Sequence, residues 1–280
     1  MKIAVLRHRH DDFDKTRYMV KEFAEIWRDQ GHHVEFRRGP TGPIDADLAI
    51  AHIDLTRVPD AYQAWFDGCP RVVNRRVVDV SKRAISQNAV VRGDGYEGPV
   101  IVKTDRNFGG LREFRLHGRL GGVRNRLDQA RFFLPWAFRS RMRLGDYRIY
   151  ASAREVPWPV WHNDALFVER FQPERDGPNY AMRVWIFFGS RETHSRVVSP
   201  HPVVKGKDLI RIDRLDDVPV PEALRRRREE LGFDFGKFDY ALVDGRPVLF
   251  DANPTPGMPF ESEVYRPRAL HLAAGLEAFT

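Results

Sequence analysis

The segment from Phe238 to Gly257 constrains this chain most, because its aspartates can serve one cleft only in one strand register. It reads Phe-Asp-Tyr-Ala-Leu-Val-Asp-Gly-Arg-Pro-Val-Leu-Phe-Asp-Ala-Asn-Pro-Thr-Pro-Gly, with Asp244-Gly245 marking the turn of a hairpin. Side chains alternate along a strand, so a two-residue turn pairing Val243 with Arg246 would send Asp239 and Asp251 to opposite faces. A three-residue loop, Val243-Asp244-Gly245 with Gly245 left-handed, shifts the pairing by one. Phe238, Tyr240, Leu242, Val248 and Phe250 then make an apolar face. Asp239, Ala241, Leu249 and Asp251 make the other, and Asn253 continues it. Burial contributes ~1.5–3 kcal/mol per large side chain, which favours this second register. Two carboxylates and an amide oxygen are hard donors that suit Mg²⁺. The plainer alternative is a hairpin with a polar outer face.

The first 75 residues alternate strand and helix. Ile3 to Leu6, Val34 to Phe36, Asp47 to Ala51 and Arg71 to Val73 read as strands. Met19, Phe23, Ile26 and Trp27 form one face of a helix over Arg17 to Gln30, and Pro59 to Asp67 makes a short one. This pattern predicts a small open parallel sheet. Beyond it, Asp79 to Asn88 reads as helix and Pro99 to Thr104 as strand. Phe108-Gly109-Gly110 reads as a glycine loop, and residues 111 to 145 as basic, weakly patterned chain with mobility expected within it. Leu166 to Val168 and Ala181 to Phe188 are strands, and Pro221 to Leu231 and Arg266 to Phe279 helices. The C-terminal ends of the first strands, carrying Arg7, His8 and His52, are expected to face the cleft.

Composition excludes several classes. With 42% hydrophobic and 30% charged residues, the chain can bury a core. No apolar run approaches the length of a membrane span. Cys69 is the single cysteine, so neither an internal disulfide nor a cysteine zinc site can form, and a cytoplasmic setting is expected. The net charge of +7 suits anionic substrates. Arg225 to Arg228 stand among Glu222, Glu229 and Glu230 and read as a solvated face. No nucleic-acid-binding motif is present, which argues against that partner.

Asp239, an acid twelve residues later, then Ala-Asn-Pro-Thr-Pro-Gly resembles the C-terminal metal motif of the ATP-grasp superfamily. That superfamily includes D-alanine–D-alanine ligase, glutathione synthetase, biotin carboxylase and enzymes that add glutamate or tyrosine to proteins. The second acid there is more often Glu; here it is Asp251. Other parts follow in the family's order over residues 70 to 257. Gly98 to Lys103 is similar to the strand whose lysine meets the ATP phosphates, and Gly109-Gly110 to the loop that covers them. Asn74 to Lys82 is similar to the segment that places an earlier lysine near the nucleotide. Phe167-Val168-Glu169-Arg170-Phe171 is similar to the adenine hinge. By that likeness Glu169 meets the adenine amino group, and the backbone from Arg170 through Phe171 to Gln172 reads the ring edge. The likeness puts either Glu174 or Asp176 at the ribose, and it puts Arg183 and Arg196, as the catalytic arginines, where family arginines stabilise phosphate or substrate carboxylate.

The resemblance implies an α/β (α+β) fold of the ATP-grasp type. A Rossmann-like N-terminal domain spans 1–75, a central subdomain with the phosphate loop 76–168, and a C-terminal subdomain with the metal site 169–280. It implies ATP and Mg²⁺ (held by Asp239, Asp251 and Asn253), and ligation of a small-molecule or peptide carboxylate to an amine through an acyl phosphate. Phosphoryl transfer to a hydroxyl and a non-catalytic nucleotide-binding module are the alternatives. No membrane partner is implied, and a homodimer is left open.

Overall fold

The apolar runs of the N-terminal segment become strands in the computed structural model, which describes residues 1–118, 130, 133–143, 146–258 and 262–280. β1 (Lys2–Arg7), α1 (Met19–Asp29), β2 (His33–Arg38), β3 (Leu48–His52), α2 (Asp60–Trp65) and β4 (Val72–Val73) follow in order. The four strands form one parallel sheet, β2-β1-β3-β4. Met19, Phe23, Ile26 and Trp27 are all buried, as their helical spacing predicts.

α3 (Lys82–Ile85) is one turn long, shorter than the helix expected from Asp79 to Asn88. Local side chains compete with the helix at both ends. The Ser81 N–H donates to Asp79 Oδ1 at 2.8 Å, and the Asn88 N–H to Ser86 Oγ at 3.1 Å. β5 (Val100–Thr104), α4 (Leu111–Gly118), β6 (Arg148–Tyr150), α5 (Trp158–Trp161) and β7 (Leu166–Arg170) come next. Their strands make an antiparallel sheet, β6-β5-β7. Much of the 111 to 145 segment lies outside the described residues.

The C-terminal half holds β8 (Glu174–Asp176), β9 (Asn179–Phe188), β10 (Arg191–Ser199), β11 (Arg211–Arg214), α6 (Glu222–Glu230), β12 (Phe235–Val243), β13 (Arg246–Asn253) and α7 (Ser262–Ala273). They build a six-stranded sheet, β11-β10-β9-β12-β13, with β8 added beside β9. β10 has no apolar alternation at its start, and the sequence gives little sign of it. Pairing with β9, from Arg191 opposite Phe188 to Ser199 opposite Tyr180, holds it extended.

One core joins the first and last parts of the chain. Ile3, Val5, Phe23 and Trp27 pack with Phe188, Phe235 and Leu272. Trp27 Nε1 donates to the Ala273 carbonyl at 2.9 Å, so the indole is both packed and hydrogen-bonded. The Arg225 to Arg228 cluster is not simply a solvated face. Arg225 pairs with Glu192, Arg228 lies 4.0 Å from the Phe187 ring centroid, and the Arg227 guanidinium donates to the Ala84 carbonyl at 2.9 Å.

The hairpin corrects the expected register. Val243 pairs with Arg246 across a two-residue Asp244-Gly245 turn, with φ of +50° and +76°. Left uninterrupted, that pairing would separate Asp239 from Asp251. The ladder slips by one residue between Asp239 and Tyr240, so Tyr240 faces Leu249 while Asp239 faces Asp251. Phe250 is the extra residue of a β-bulge. Phe238, Tyr240, Leu249 and Ala252 fill the core face. Val248 and Phe250, expected there, instead share the face of the aspartates. The aspartates therefore converge as expected, through a bulge rather than a longer turn.

Candidate functional site

A cleft of about 410 Å³ opens between β5, β7 and the β12–β13 hairpin. Each element delivers charged groups. β5 carries Lys103, the first residue of α3 is Lys82, β7 ends with Glu169 and Arg170, and the hairpin brings Asp239, Asp251 and Asn253. All seven line the same space, with Phe171 and Gln172 continuing from β7.

The cations are already paired with acids of the cleft. Lys82 Nζ meets Asp251 and donates to Asn107 Oδ1 at 2.5 Å. Lys103 Nζ meets Glu169, which also accepts from Ser86 Oγ at 3.0 Å, and sits 5.3 Å from the Phe250 ring centroid. Lys237 Nζ, opposite Asn253 in the ladder, donates to Asp239 Oδ2 at 2.8 Å. Glu169 is 2% exposed, so its ion pair with Lys103 is screened little by water.

The expected metal donors fit a hard cation by one direct observation. Asp239 is 8% exposed, and its Oδ1 is buried without a hydrogen-bond partner in the protein. A buried carboxylate oxygen left so is costly unless something meets it. Burial pushes the Asp239 carboxyl above its ordinary range, with Lys237 opposing and Asp251 adding. Burial acts likewise on Asp251, but Lys82, Lys237 and Lys103 outweigh it and hold that carboxyl below the usual range. Among the described residues no group of three or more His, Cys, Asp or Glu side chains is placed to hold a metal. The donor set here is two aspartates and an asparagine, as suits a magnesium ion that keeps waters and takes phosphate oxygens.

Four expected residues lie elsewhere. Tyr240 pairs with Arg183 on the core side of the sheet, and Arg183 pairs with Arg196, so both arginines point away from the Asp239 face. Glu174 accepts from Arg183 Nε at 3.0 Å and from Arg196 Nε at 2.7 Å, and Asp176 from Arg196 at 3.0 Å. The arginines expected to be catalytic and the acids expected at the ribose thus neutralise one another behind the sheet. At the hinge, the Arg170 N–H donates to the Asn88 carbonyl at 2.9 Å and the Phe171 N–H to the Pro99 carbonyl at 2.8 Å. Those two donors are committed to the protein, and a base edge would be read by other hinge atoms.

Gly109 and Gly110 are buried and left-handed, at φ +68° and +73°, while Phe108 of the same loop lines the cleft. A Cβ on Gly109 would stand 2.3 Å from the Met142 carbonyl oxygen; one on Gly245, at φ +76°, would meet nothing within 4 Å. Gly245→Ala is therefore expected to cost only the left-handed conformation, about 1–2 kcal/mol. Gly109→Ala is expected to cost more, read as a lower urea midpoint. Equal midpoints would show that the backbone around Met142 yields freely.

Arg7, His8 and His52 do not line the cleft. His52 is wholly buried with its ring 4.6 Å from that of Tyr18, and burial holds its imidazole down at about 3. Arg7 lies over the Phe13 ring. The N-terminal sheet reaches the cleft two residues later, through Asp54. That carboxylate accepts from Tyr18 Oη at 2.7 Å, Arg112 Nε at 2.9 Å and Thr255 Oγ1 at 3.1 Å. The sequence reading missed Asp54, Tyr18, Arg112, Asn107 and Lys237. Thr255 and Lys237 had a signal, since each stands two residues from a donor of the motif; the others come from distant segments with no pattern of their own.

Three solved structures share this architecture. A RimK domain ATP-grasp protein from Sphaerobacter thermophilus DSM 20745 is 15% identical, with all of both chains covered and a TM-score of 0.52. D-cycloserine synthetase DcsG is 14% identical over all of both chains, with a TM-score of 0.51. The ATP-grasp ligase PsnB, complexed with a minimal precursor, is 12% identical over 99% of this chain and 98% of its own, with a TM-score of 0.52. No protein-family model and no curated protein sequence matches the chain. What is shared at such identities is the fold, and the chain is a protein of the ATP-grasp fold: mixed α/β, with a parallel N-terminal sheet and two antiparallel sheets around the cleft.

Proposed function

We propose that this chain is an ATP-dependent ligase joining a carboxylate to an amine through an acyl phosphate. The observation that carries this reading is the convergence of Asp239, Asp251 and Asn253 with Lys82 and Lys103 in one cleft. Two of the structurally similar proteins are named a ligase and a synthetase, which supports the same class. Asp239, Asp251 and Asn253 would hold Mg²⁺, which when bound neutralises charge on the phosphates. Lys82 and Lys103 add fixed positive charge there. Their present partners, Asp251 and Glu169, keep both ammonium groups oriented until a polyanion competes for them. Glu169 and the hinge from Arg170 to Gln172 take the adenine end, and Phe250 gives the cleft an apolar wall beneath Lys103. The Phe108-Gly109-Gly110 loop borders the phosphate end and helps exclude water. The substrates of this reading are small-molecule or peptide acids and amines, in a compartment that supplies ATP. Among the described residues no helix is long and apolar enough to cross a membrane.

Hydroxylamine, a small amine that accepts many acyl phosphates, tests the reading. With ATP, Mg²⁺ and a mixture of amino acids and short peptides, the chain should release phosphate and form a hydroxamate of its true acid. A stable phosphorylated product with no hydroxamate would assign it to phosphoryl transfer instead.

A further inference from the structure

The N-terminal wall of the cleft holds a chain of groups that the reading above does not use. Tyr18 Oη lies 2.7 Å from Asp54 Oδ2 and 3.1 Å from Asp11 Oδ1. A phenol has one hydrogen, so it can donate to only one of two carboxylates. The other contact is complete only when its carboxyl holds a proton and donates to the phenol oxygen. Asp54 carries the Arg112 guanidinium, which places that proton on Asp11. Asp11 and Tyr18 are 5% and 2% exposed, and Asp11 Oδ2 is buried without a partner. Burial first and then Asp54 push the Asp11 carboxyl up to about 6. Asp54 and Tyr18 both line the cleft. Thr255 Oγ1 lies 3.1 Å from Asp54 Oδ1 and 3.2 Å from Asn253 Oδ1 and can donate to either, so a single hydroxyl separates Asp54 from a phosphate-side donor.

We propose that Asp54, Tyr18 and Asp11 form a proton relay that receives the proton of the attacking amine. This rests on the ligase reading and adds to it the base for the second half-reaction. The nitrogen lone pair forms the C–N bond, the C–O bond to phosphate breaks with its electrons leaving on phosphate, and the nitrogen releases a proton to Asp54. Asp54 hands a proton to the Tyr18 oxygen, and the Tyr18 hydroxyl gives its own to Asp11. Asp54 is the catalytic residue, and Tyr18 and Asp11 act through it. The relay needs Asp11 unprotonated, so it switches on as pH rises through about 6. The groups facing this chain are Arg7 from β1, His52 from β3 and Arg112 from α4.

The test uses the full chain, with ATP, Mg²⁺ and the acid found by the hydroxylamine screen, and compares amide formed with an amino-acid mixture against hydroxamate formed with hydroxylamine. Hydroxylamine is largely uncharged at neutral pH and depends less on a base. In the unaltered chain amide formation should rise through pH 6. In Tyr18→Phe and Asp11→Asn it should fall on the order of 100-fold and lose that rise. An amide-to-hydroxamate ratio equal to that of the unaltered chain at every pH overturns the relay and leaves the ligase reading standing. Absence of any hydroxamate from the unaltered chain overturns both. A separate measurement needs no turnover: the carboxyl carbon of Asp11, followed by NMR, should titrate near 6, and Asp54→Asn should lower its midpoint. An ordinary midpoint, indifferent to Asp54→Asn, also overturns the relay.

Discussion

Asp251→Asn is expected to lower ATP-dependent turnover by at least on the order of 100-fold while the protein stays folded. Asp251 sits opposite Asp239 and pairs with Lys82. The amide keeps the side chain's size and one oxygen, so the bulge and the hairpin core remain. What goes is the charge that binds a cation and orients the lysine. The cost should appear in phosphate release and hydroxamate yield together, with the circular dichroism spectrum unchanged. Undiminished turnover would take Asp251 out of the donor set and leave Asp239 and Asn253 too few to hold a metal.

Trp27→Ala is expected to cost ~3–5 kcal/mol of stability, read by urea denaturation. The indole is fully buried where the N-terminal sheet meets β9, β12 and α7. Its removal opens a cavity and leaves the Ala273 carbonyl without its 2.9 Å donor. Domains of this size have roughly 5–15 kcal/mol in all, so a large fraction would be lost in one step. Because the core is shared, the loss should be a cooperative shift of one transition. A separate early melting of the first 75 residues would show that the two ends fold independently.

The sequence exposed what is periodic and local. The Met19, Phe23, Ile26 and Trp27 stripe, the run to Lys103 and the apolar strand before Glu169 are each visible within ten residues, and each sits where its pattern indicates. What it hid depends on pairing across distance. β10 is polar at its start and is held extended by its neighbours β9 and β11. Arg183 and Arg196 looked like substrate ligands because strand alternation alone does not say which face meets the cleft; their pairing with Tyr240 and Glu174 does. The hairpin is the sharpest case. Counting by twos from a three-residue loop gave the wrong faces for Val248, Leu249 and Phe250, since a period-two rule has no place for an inserted residue and the longer loop was needed to bring the aspartates together. Asp54 and Asp11 were invisible because their meaning lies in Tyr18 between them.

That inserted residue has a consequence for any shortened version of the ribbon. Deleting Phe250 would restore an unbroken ladder from the turn onward, with Leu249 still opposite Tyr240 and Asp251 still opposite Asp239. The aspartate and the asparagine would keep their faces, and the aromatic ring beneath Lys103 would be gone. A protein one residue smaller would thus keep its acidic rim and lose the ring that floors the cleft.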